Sequence, residues 1–287
     1  MEDKVVLTIV IANYNYGRYI EDAIRSVVCQ ADVIEDKRLI VDGHAVELII
    51  CDGGSTDNSV EVIRKYEHAI YWWCSEPDGG QSAAFNKGFA HGTGKYLTWL
   101  NADDQLVPHA LKSVVRQLVK HPDCEWFTGN ALDFTNDRKI ITCAVGPHWY
   151  PDFLQRKCSP IVVMGPTSFF SRRIYEQAGR IDESLHYTMD TYLWIKFIVA
   201  GVKQRRIRQM IWAFRRHEAS KTAEFGTHKL GKDKLAQMDR ELKAALKDVS
   251  YRPSRLMHGI CLLFRLLDGS LIRRTFIRRF GGSVKEW

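Results

Sequence analysis

The chain has 287 residues, of which 45% are hydrophobic and 26% are charged, and its formal net charge is +7. This length and composition indicate a large buried core rather than disorder or a fibrous repeat, and so modest a charge does not by itself indicate a nucleic-acid-binding protein. The seven cysteines include no C-x-x-C pair, which disfavours a zinc site or a disulfide framework and favours a reducing compartment. The sequence shows neither a signal-peptide pattern nor a run of 18 uncharged apolar residues, so we expect no leader and no spanning helix.

The first hundred residues alternate between short apolar runs and helical patterns. Residues 5–12 are a continuous, β-branched run, and strand-like runs follow at 46–51, 70–74 and 96–101. Apolar residues at helical spacing follow the first three runs, at 20–28, 60–66 and 83–88. Residues 30–45 indicate a long loop or an added hairpin. Short buried strands alternating with helices predict a parallel sheet, whose ligands bind beyond the carboxyl ends of the strands.

The second half predicts a mixed sheet and a basic extension. We predict strands at 125–132, 139–145 and 161–170, a helix with Pro108 in its first turn, and helices over 171–178 and 191–200 that stop at Gly179 and Gly201. From about residue 227 the pattern is helical and basic. A soft boundary near Phe225 therefore divides a main domain (1–225) from a helical extension (226–287).

Polar clusters follow all four of the first strand-like runs, at 13–17, 52–57, 75–82 and 101–104. Asp103 and Asp104 end the fourth run, where carboxylates at the mouth of a buried strand favour a cation partner. The pair could instead begin a turn and cap the following helix. Its place at the ligand-bearing edge favours Mg²⁺ or Mn²⁺, which take few protein carboxylates and complete their shell with water and phosphate.

The second acidic turn follows the strand-like run at 46–51. Ser55, Thr56 and Asp57 have the chemistry of a turn and of a helix cap, and we assign them that role. Asp52 stands directly at the strand end, where it can accept a hydrogen bond from a nucleobase, and Gly53 lets a planar base approach the backbone. The two acidic turns together outline a site for a metal-bound nucleotide.

Taken alone, two residues later in the chain give weaker evidence of a functional role. Asp190 is at least equally consistent with a helix N-cap. His217 stands among basic residues, where a lone histidine is usually a surface residue. A loop that offers Arg, His217, Ser and Lys221 together would nonetheless suit a diphosphate.

With these residues assembled, the chain resembles the family 2 glycosyltransferases, inverting nucleotide-sugar transferases of the GT-A fold that serve bacterial-type surface glycan biosynthesis. The resemblance runs from about Val5 to Lys221, and it rests on the segments 8–15, 52–57, 75–82, 86–88, 101–104 and 185–194. It implies a Rossmann-like α/β fold, in which a mixed, mostly parallel central sheet is flanked by helices.

The resemblance also implies roles for individual residues. The nucleotide-sugar site would comprise Ala12, Tyr14, Asp52, Gly53, Asp78, Gln81, Lys87, Asn101, Ala102 and Asp103. Asp103, Asp104 and His217 would hold the divalent metal, His217 and Lys221 would contact the diphosphate, and Asp190 would be the general base. Asn101 departs from the family pattern because it replaces the first Asp of the D-x-D motif. The ribose contact is therefore expected to be weaker or altered, and Asp103 becomes the main metal ligand.

The residue types suit a single displacement of the hexosyl or N-acetylhexosaminyl group. An acceptor hydroxyl is a poor nucleophile, so a carboxylate such as Asp190 must take its proton as it attacks the sugar. A metal and cations such as Lys221 or His217 would stabilise the departing diphosphate. A nucleotidyltransferase would need a glycine-rich phosphate loop after the first strand, which 13–16 is not. A catalytically silent nucleotide-sugar-binding scaffold stays open because of Asn101.

The acceptor is expected to be a glycan or a lipid-linked saccharide. Aromatic residues in 146–168 could stack on its sugar rings or belong to the core; they are Trp149, Tyr150 and Phe153. In the segment 250–287, apolar residues at helical spacing precede several arginines, which predicts a helix packed on the main domain or one resting on anionic lipid. Nucleic acid is disfavoured. We expect a cytoplasmic protein, peripheral on the inner membrane face if this segment binds lipid.

Overall fold

The structure is a computed structural model that describes residues 5–144, 165–218, 232–249, 260 and 282–284. Its strands are β1 (Leu7–Asn13), β2 (Val33–Glu35), β3 (Arg38–Val41), β4 (His44–Asp52), β5 (Trp72–Ser75), β6 (Tyr96–Asn101), β7 (Gln105–Leu106), β8 (Trp126–Thr135), β9 (Ile140–Ala144), β10 (Ser168–Ser171) and β11 (Gln204–Arg216). Its α-helices are α1 (Ile20–Val28), α2 (Ser59–Lys65), α3 (Gln81–His91), α4 (Ala110–Lys120), α5 (Arg172–Gln177), α6 (Met189–Val199) and α7 (Lys232–Asp248).

The described strands form one mixed sheet in the order β2-β3-β4-β1-β6-β10-β8-β11-β7, while β5 also pairs with β4 and β9 with β8. The central strands β5, β4, β1 and β6 are mutually parallel. Strand β10 is antiparallel to both β6 and β8, and β11 is parallel to β8. The carboxyl ends of β1, β4, β5, β6, β8 and β11 therefore point to the same edge of the sheet.

Strand β1 shows why a continuous apolar run becomes a central strand. Successive side chains of a strand point to opposite faces, so a run without polar interruptions must be buried on both. Ile9 and Ile11 belong to the core cluster on one face, and Val10 belongs to the cluster on the other. Helix α3 covers the second face closely, since a Cβ added at Gly88 would lie 2.4 Å from a methyl group of Val10.

The predicted strand–helix alternation of the first hundred residues is confirmed. Residues 30–45 contain the β2–β3 hairpin, which extends the sheet beside β4. The turn between β3 and β4 is also fixed to α4, because Asp42 in that turn forms ion pairs with Lys112 and Arg116. The predicted stops at Gly179 and Gly201 are confirmed, and their φ angles of 75° and 77° explain the choice of glycine.

The second half departs from the predictions in three places, of which the first is that residues 165–167 of the strand predicted at 161–170 form a 3₁₀ helix before β10. Helix α4 begins at Ala110 rather than with Pro108 in its first turn. Strand β11 was not predicted at all, although it is the longest described strand, with 13 residues. Residues 161–164 of a predicted strand, Trp149, Tyr150 and Phe153, and most of 250–287 lie outside the described residues. Within the described ranges, no helix has the length and apolar character needed to cross a membrane.

Candidate active site

The loops that follow the parallel strands form the candidate site. Asn13 ends β1, Asp52 ends β4, Ser75 ends β5 and Asn101 ends β6. In the strand register, Ala12 lies between Cys51 and Asn101. The sequence therefore predicted correctly which loops meet at this edge of the sheet.

The carboxylate of Asp52 joins three of these strand ends. One oxygen accepts hydrogen bonds from Asn13 Nδ2 at 2.6 Å and from the hydroxyl of Ser55, and the other accepts from Ser55 N at 2.9 Å and Ser75 Oγ at 2.6 Å. Burial opposes ionisation, but the hydrogen bonds from Ser55, Ser75 and Asn13 hold the pKa of Asp52 below its usual value. The side chain thus organises the loop, while its contact with a nucleobase stays a prediction.

The turn after Asp52 bonds to the loop after β1. Asn15 lies in the left-handed region at φ 56°, and its Oδ1 accepts from Thr56 N at 2.8 Å. Ser55 Oγ accepts from Asn15 N at 2.8 Å. The capping role predicted for Ser55 and Thr56 was wrong, because helix α2 begins only at Ser59. Asp57 does bond there, since it accepts from Ser59 N at 2.9 Å.

Four other predicted nucleotide-sugar residues lie around these loops. Tyr14 is 60% exposed at the edge of the sheet and is open to a ligand. A Cβ added at Gly53 would lie 3.3 Å from the carboxylate oxygens of Asp78, so these two residues are neighbours. Lys87 Nζ donates to Glu76 Oε1 at 3.0 Å. Nucleotide contacts of these residues stay predictions.

Asn101 belongs to a hydrogen-bonded chain that ends on Asp104. Gln81 Nε2 donates to Asn101 Oδ1 at 3.0 Å, and Asn101 Nδ2 donates to one oxygen of Asp104 at 2.7 Å. Arg215 N donates to the other oxygen of Asp104 at 2.9 Å. An aspartate at position 101 could not donate this bond and would face Asp104 with like charge. The structure thus gives a physical reason for the departure from D-x-D.

Asp104 faces the protein rather than the site. It is fully buried, and both of its oxygens accept hydrogen bonds from the protein. Burial, followed by the nearby charge of Asp103, raises the pKa of the Asp104 carboxyl well above its usual value. Its predicted role as a metal ligand is not supported by this geometry, because the side chain has no exposed surface and each oxygen already accepts a hydrogen bond from the protein.

Asp103 and His217 meet across the site. The Nε2 atom of His217 lies 3.0 Å from Asp103 Oδ2, and both residues are 8% exposed. The ring of Tyr19 packs against the imidazole at 4.4 Å between centroids, and Tyr16 contacts it edge-on at 6.0 Å. The alternative of a surface position for His217 was therefore wrong.

The Asp103–His217 pair fits a metal that is completed by its substrate. Among the residues that the structure describes, no group of three or more His, Cys, Asp or Glu side chains is arranged to hold a metal ion. Mg²⁺ and Mn²⁺ do not require such a group, since phosphate oxygens and water complete their shell. One carboxylate oxygen and one imidazole nitrogen converge here. Lys221, the other predicted diphosphate ligand, lies outside the described residues.

Arg215 supports this pair and was missed by the sequence analysis. Its side chain is 5% exposed; Nε donates to the carbonyl oxygen of Asp103 at 2.9 Å, and a terminal nitrogen bonds to Asp22 at 2.6 Å. The guanidinium also lies 5.1 Å from the ring centroid of Tyr19. Arg215 therefore fixes the 103–104 turn to α1 and to the end of β11.

Replacing Arg215 by Met should lower the free energy of unfolding by about 2–4 kcal/mol, because it leaves the buried carbonyl of Asp103 without its donor and breaks a largely buried ion pair. Chemical unfolding followed by tryptophan fluorescence would measure the loss. Arg116→Met is the matched control, since the Arg116 side chain is 60% exposed and its pair with Asp42 should contribute less than about 1 kcal/mol. Equal losses in the two variants would contradict the supporting role of Arg215.

Asp190 lies in the first turn of α6. Thr188 is the N-cap residue of that helix, so the alternative of Asp190 as N-cap was wrong. Asp190 Oδ1 accepts from Thr191 N at 2.6 Å. Ser82 Oγ lies 2.8 Å from the sulfur of Met189, which places the start of α6 beside the start of α3 and its Gln81. The role of Asp190 as a base stays a prediction.

The chain matches known proteins in sequence and in fold. It is 27% identical over 207 residues to the Bacillus subtilis protein TuaG, whose name assigns it to teichuronic acid biosynthesis. The match covers 69% of this chain and 74% of TuaG. Three other curated relatives are matched over only 31% to 58% of their own length.

Two solved structures share the fold. S. aureus TarS in complex with UDP-GlcNAc superimposes with a TM-score of 0.62 at 12% identity, over 96% of this chain and 76% of TarS. The mannosyltransferase PcManGT from Pyrobaculum calidifontis, in complex with GDP-Man and Mn²⁺, superimposes with a TM-score of 0.55 at 15% identity, over 96% of this chain and 87% of PcManGT. These likenesses confirm the predicted GT-A fold. The family model "Glycosyl transferase family 2" matches residues 8–178, more than half of the chain, which therefore belongs to glycosyl transferase family 2.

Proposed function

We propose that this glycosyltransferase moves a hexosyl or N-acetylhexosaminyl group from a nucleotide-diphospho-sugar to a hydroxyl of a glycan or lipid-linked acceptor, with inversion. The observation that carries the proposal is the pairing of Asp103 with His217 at 3.0 Å, at the edge where the loops after β1, β4 and β6 meet. The donors held by TarS and PcManGT and the pathway in the name of TuaG support this substrate class.

In the proposed site, a divalent ion would be held by Asp103 and His217 and would supply charge stabilisation to the departing diphosphate. Tyr14 is exposed at 60% and offers a face on which a nucleobase can stack. The Asp52 and Gly53 loop, with Asp78 beside it, would hold the nucleoside. Asp190 accepts the proton of the acceptor hydroxyl as that oxygen attacks the sugar, so no covalent intermediate with the protein forms.

A catalytically silent nucleotide-sugar scaffold is the second candidate. The scaffold was suggested by Asn101, which replaces an aspartate of the family motif. The structure gives this residue a structural role, since Asn101 Nδ2 donates to Asp104 at 2.7 Å. The substitution at position 101 therefore does not by itself indicate lost activity. The proposal of a cytoplasmic enzyme, peripheral on the inner membrane face if residues 250–287 bind lipid, is independent of this choice.

The test is hydrolysis of a panel of UDP- and GDP-sugars by the purified chain, with Mn²⁺ or Mg²⁺ and with EDTA. Slow release of one nucleoside diphosphate, suppressed at least tenfold by EDTA, is the expected result. Binding of a nucleotide sugar without release, even when glycan acceptors are added, would favour the scaffold. If no member of the panel bound, the proposed donor class would be wrong.

A further inference from the structure

Helix α7 supplies a carboxylate to the loop that precedes α6. Glu241 Oε2 accepts hydrogen bonds from Tyr187 N at 2.9 Å, Thr188 N at 3.2 Å and Thr188 Oγ1 at 3.2 Å. Its other oxygen accepts from His186 N at 3.3 Å and from Gln237 Nε2 at 3.1 Å. Three successive backbone N–H groups thus share one carboxylate from a distant segment. They lie at and just before the N-cap of α6, where the positive end of the helix dipole favours a negative charge.

This carboxylate fixes the backbone that leads into α6. Thr188 occupies the N-cap position, but its side chain makes no capping hydrogen bond to the helix and donates to Glu241 instead. Glu241 is itself ionised more readily than usual: burial opposes this, but the bonds from Tyr187 N, Gln237 and His186 N lower its pKa. The start of α6 is therefore stabilised from outside the helix.

Packing holds α7 in register with α6. Leu242, Leu246 and Val249 pack against the core cluster that contains Leu193 and Trp194 of α6. The hydroxyl of Tyr192 hydrogen bonds to Asp248. These contacts hold α7 against α6 and keep Glu241 beside the loop.

We propose that Glu241 is a positioning residue that orients Asp190 for proton transfer. Only Met189 separates Asp190 from Thr188, whose N–H and hydroxyl donate to Glu241, so the candidate base follows closely on the backbone that Glu241 fixes. The inference rests on the proposed role of Asp190. It gives the predicted 226–287 extension a task in the reaction, because α7 belongs to that extension.

The role has a kinetic consequence. Without Glu241, three backbone N–H groups and one hydroxyl lose their acceptor, and the segment that leads into α6 is no longer fixed to α7. A base displaced by about 1 Å can lower turnover by roughly 10²-fold. The contacts of Glu241 lie on 186–188 and Gln237, while Asp103, His217 and the Asp52 loop bond elsewhere. Donor binding should therefore survive the loss.

The experiment compares Glu241→Ala and Glu241→Gln with Asp239→Ala in the full chain. Asp239 is the matched control, because it is an exposed carboxylate of the same helix that pairs only locally with Lys243. For the nucleotide sugar that the panel shows to be cleaved, we expect Glu241→Ala to lower kcat by about 10- to 100-fold with KM within about twofold. Asp239→Ala should match the unmodified chain. Glu241→Gln keeps one oxygen acceptor and should lie between the two.

A second readout needs no substrate. Hydrogen exchange of the amides at 186–188 should be at least tenfold faster in Glu241→Ala than in Asp239→Ala, with unchanged exchange in β1 and β4. If Glu241→Ala does not fold, the Glu241→Gln variant decides by the same exchange and kinetic measurements. Equal kcat in the Glu241 variants and the control would overturn the positioning role.

The Asp190→Asn variant separates this inference from the proposed function. If Asp190→Asn were inactive while Glu241→Ala stayed fully active, only the positioning role would fail. If Asp190→Asn were fully active, the role of Asp190 as base would fail, and with it the reason for positioning it.

Discussion

Replacing Asp103 by Asn should lower metal-dependent cleavage of the donor by about 10²- to 10³-fold and shift its Mn²⁺ dependence to higher concentration. Asp103 is the carboxylate whose Oδ2 lies 3.0 Å from His217 Nε2, so it supplies the charged half of the pair proposed to hold the metal. Asparagine keeps the size of the side chain but removes its charge. The fold should tolerate the change, because the backbone carbonyl of residue 103 still accepts from Arg215.

The measurement is the rate of nucleoside diphosphate release across a Mn²⁺ titration. Asp32→Asn is a suitable control, since this carboxylate is half exposed and pairs with Lys112 on the β2–β3 hairpin side of the sheet. Rates for the control should stay within twofold of the unmodified chain. A normal rate and an unchanged Mn²⁺ midpoint in Asp103→Asn would remove Asp103 from the metal site.

In contrast to Asp103→Asn, we expect Asp104→Asn to disturb the fold rather than a contact with the metal. Asp104 is fully buried and accepts from Arg215 N and Asn101 Nδ2, so its replacement changes an internal hydrogen-bond network. An amide can accept only one of these two bonds, which leaves a donor facing a donor. Of these two adjacent acidic residues, we therefore propose Asp103 for the metal, while Asp104 bonds within the fold.

The sequence predicted the parallel half of the fold because its signals are local. In β1, an apolar run long enough to cover two faces indicates a central strand by itself. Strand β11 escaped prediction because its apolar residues are interrupted by charges: Arg205, Arg206 and Arg208 precede the buried Ile211. Its place is decided by pairing with β8, a tertiary contact that no window of the sequence contains.

In the candidate site, too, local features could be predicted and tertiary contacts could not. The strand ends were predictable, since carboxyl ends of parallel strands meet at one edge. The side-chain contacts of the carboxylates could not be predicted, because they join distant parts of the sequence. Arg215 bonds to Asp22 across 193 positions, and His217 contacts Asp103 across 114. No spacing rule could separate Asp103 from Asp104, because the difference between them is the direction of the side chain at the end of β6.

Replacing Asp190 by Asn should lower cleavage and transfer by about 10²- to 10⁴-fold while the affinity for the donor stays within about twofold. The amide cannot accept the proton of an attacking hydroxyl, but it can still accept the hydrogen bond from Thr191 N that Asp190 accepts at 2.6 Å. The first turn of α6 should therefore persist. Steady-state rates and direct binding of the nucleotide sugar would measure the two quantities separately.

The pH dependence gives this prediction a second, independent measurement. A carboxylate base acts only when it is ionised, so we expect the activity of the unmodified chain to fall at acid pH and the variant to lose this acid limb. Glu183→Gln is the control, because Glu183 is an exposed acid of the segment before α6 whose oxygen accepts from Asn86 at 2.7 Å, as an amide oxygen also can. An unchanged acid limb in Asp190→Asn would assign the titrating base to another residue, whereas its loss, with donor binding retained, is the behaviour that single displacement requires.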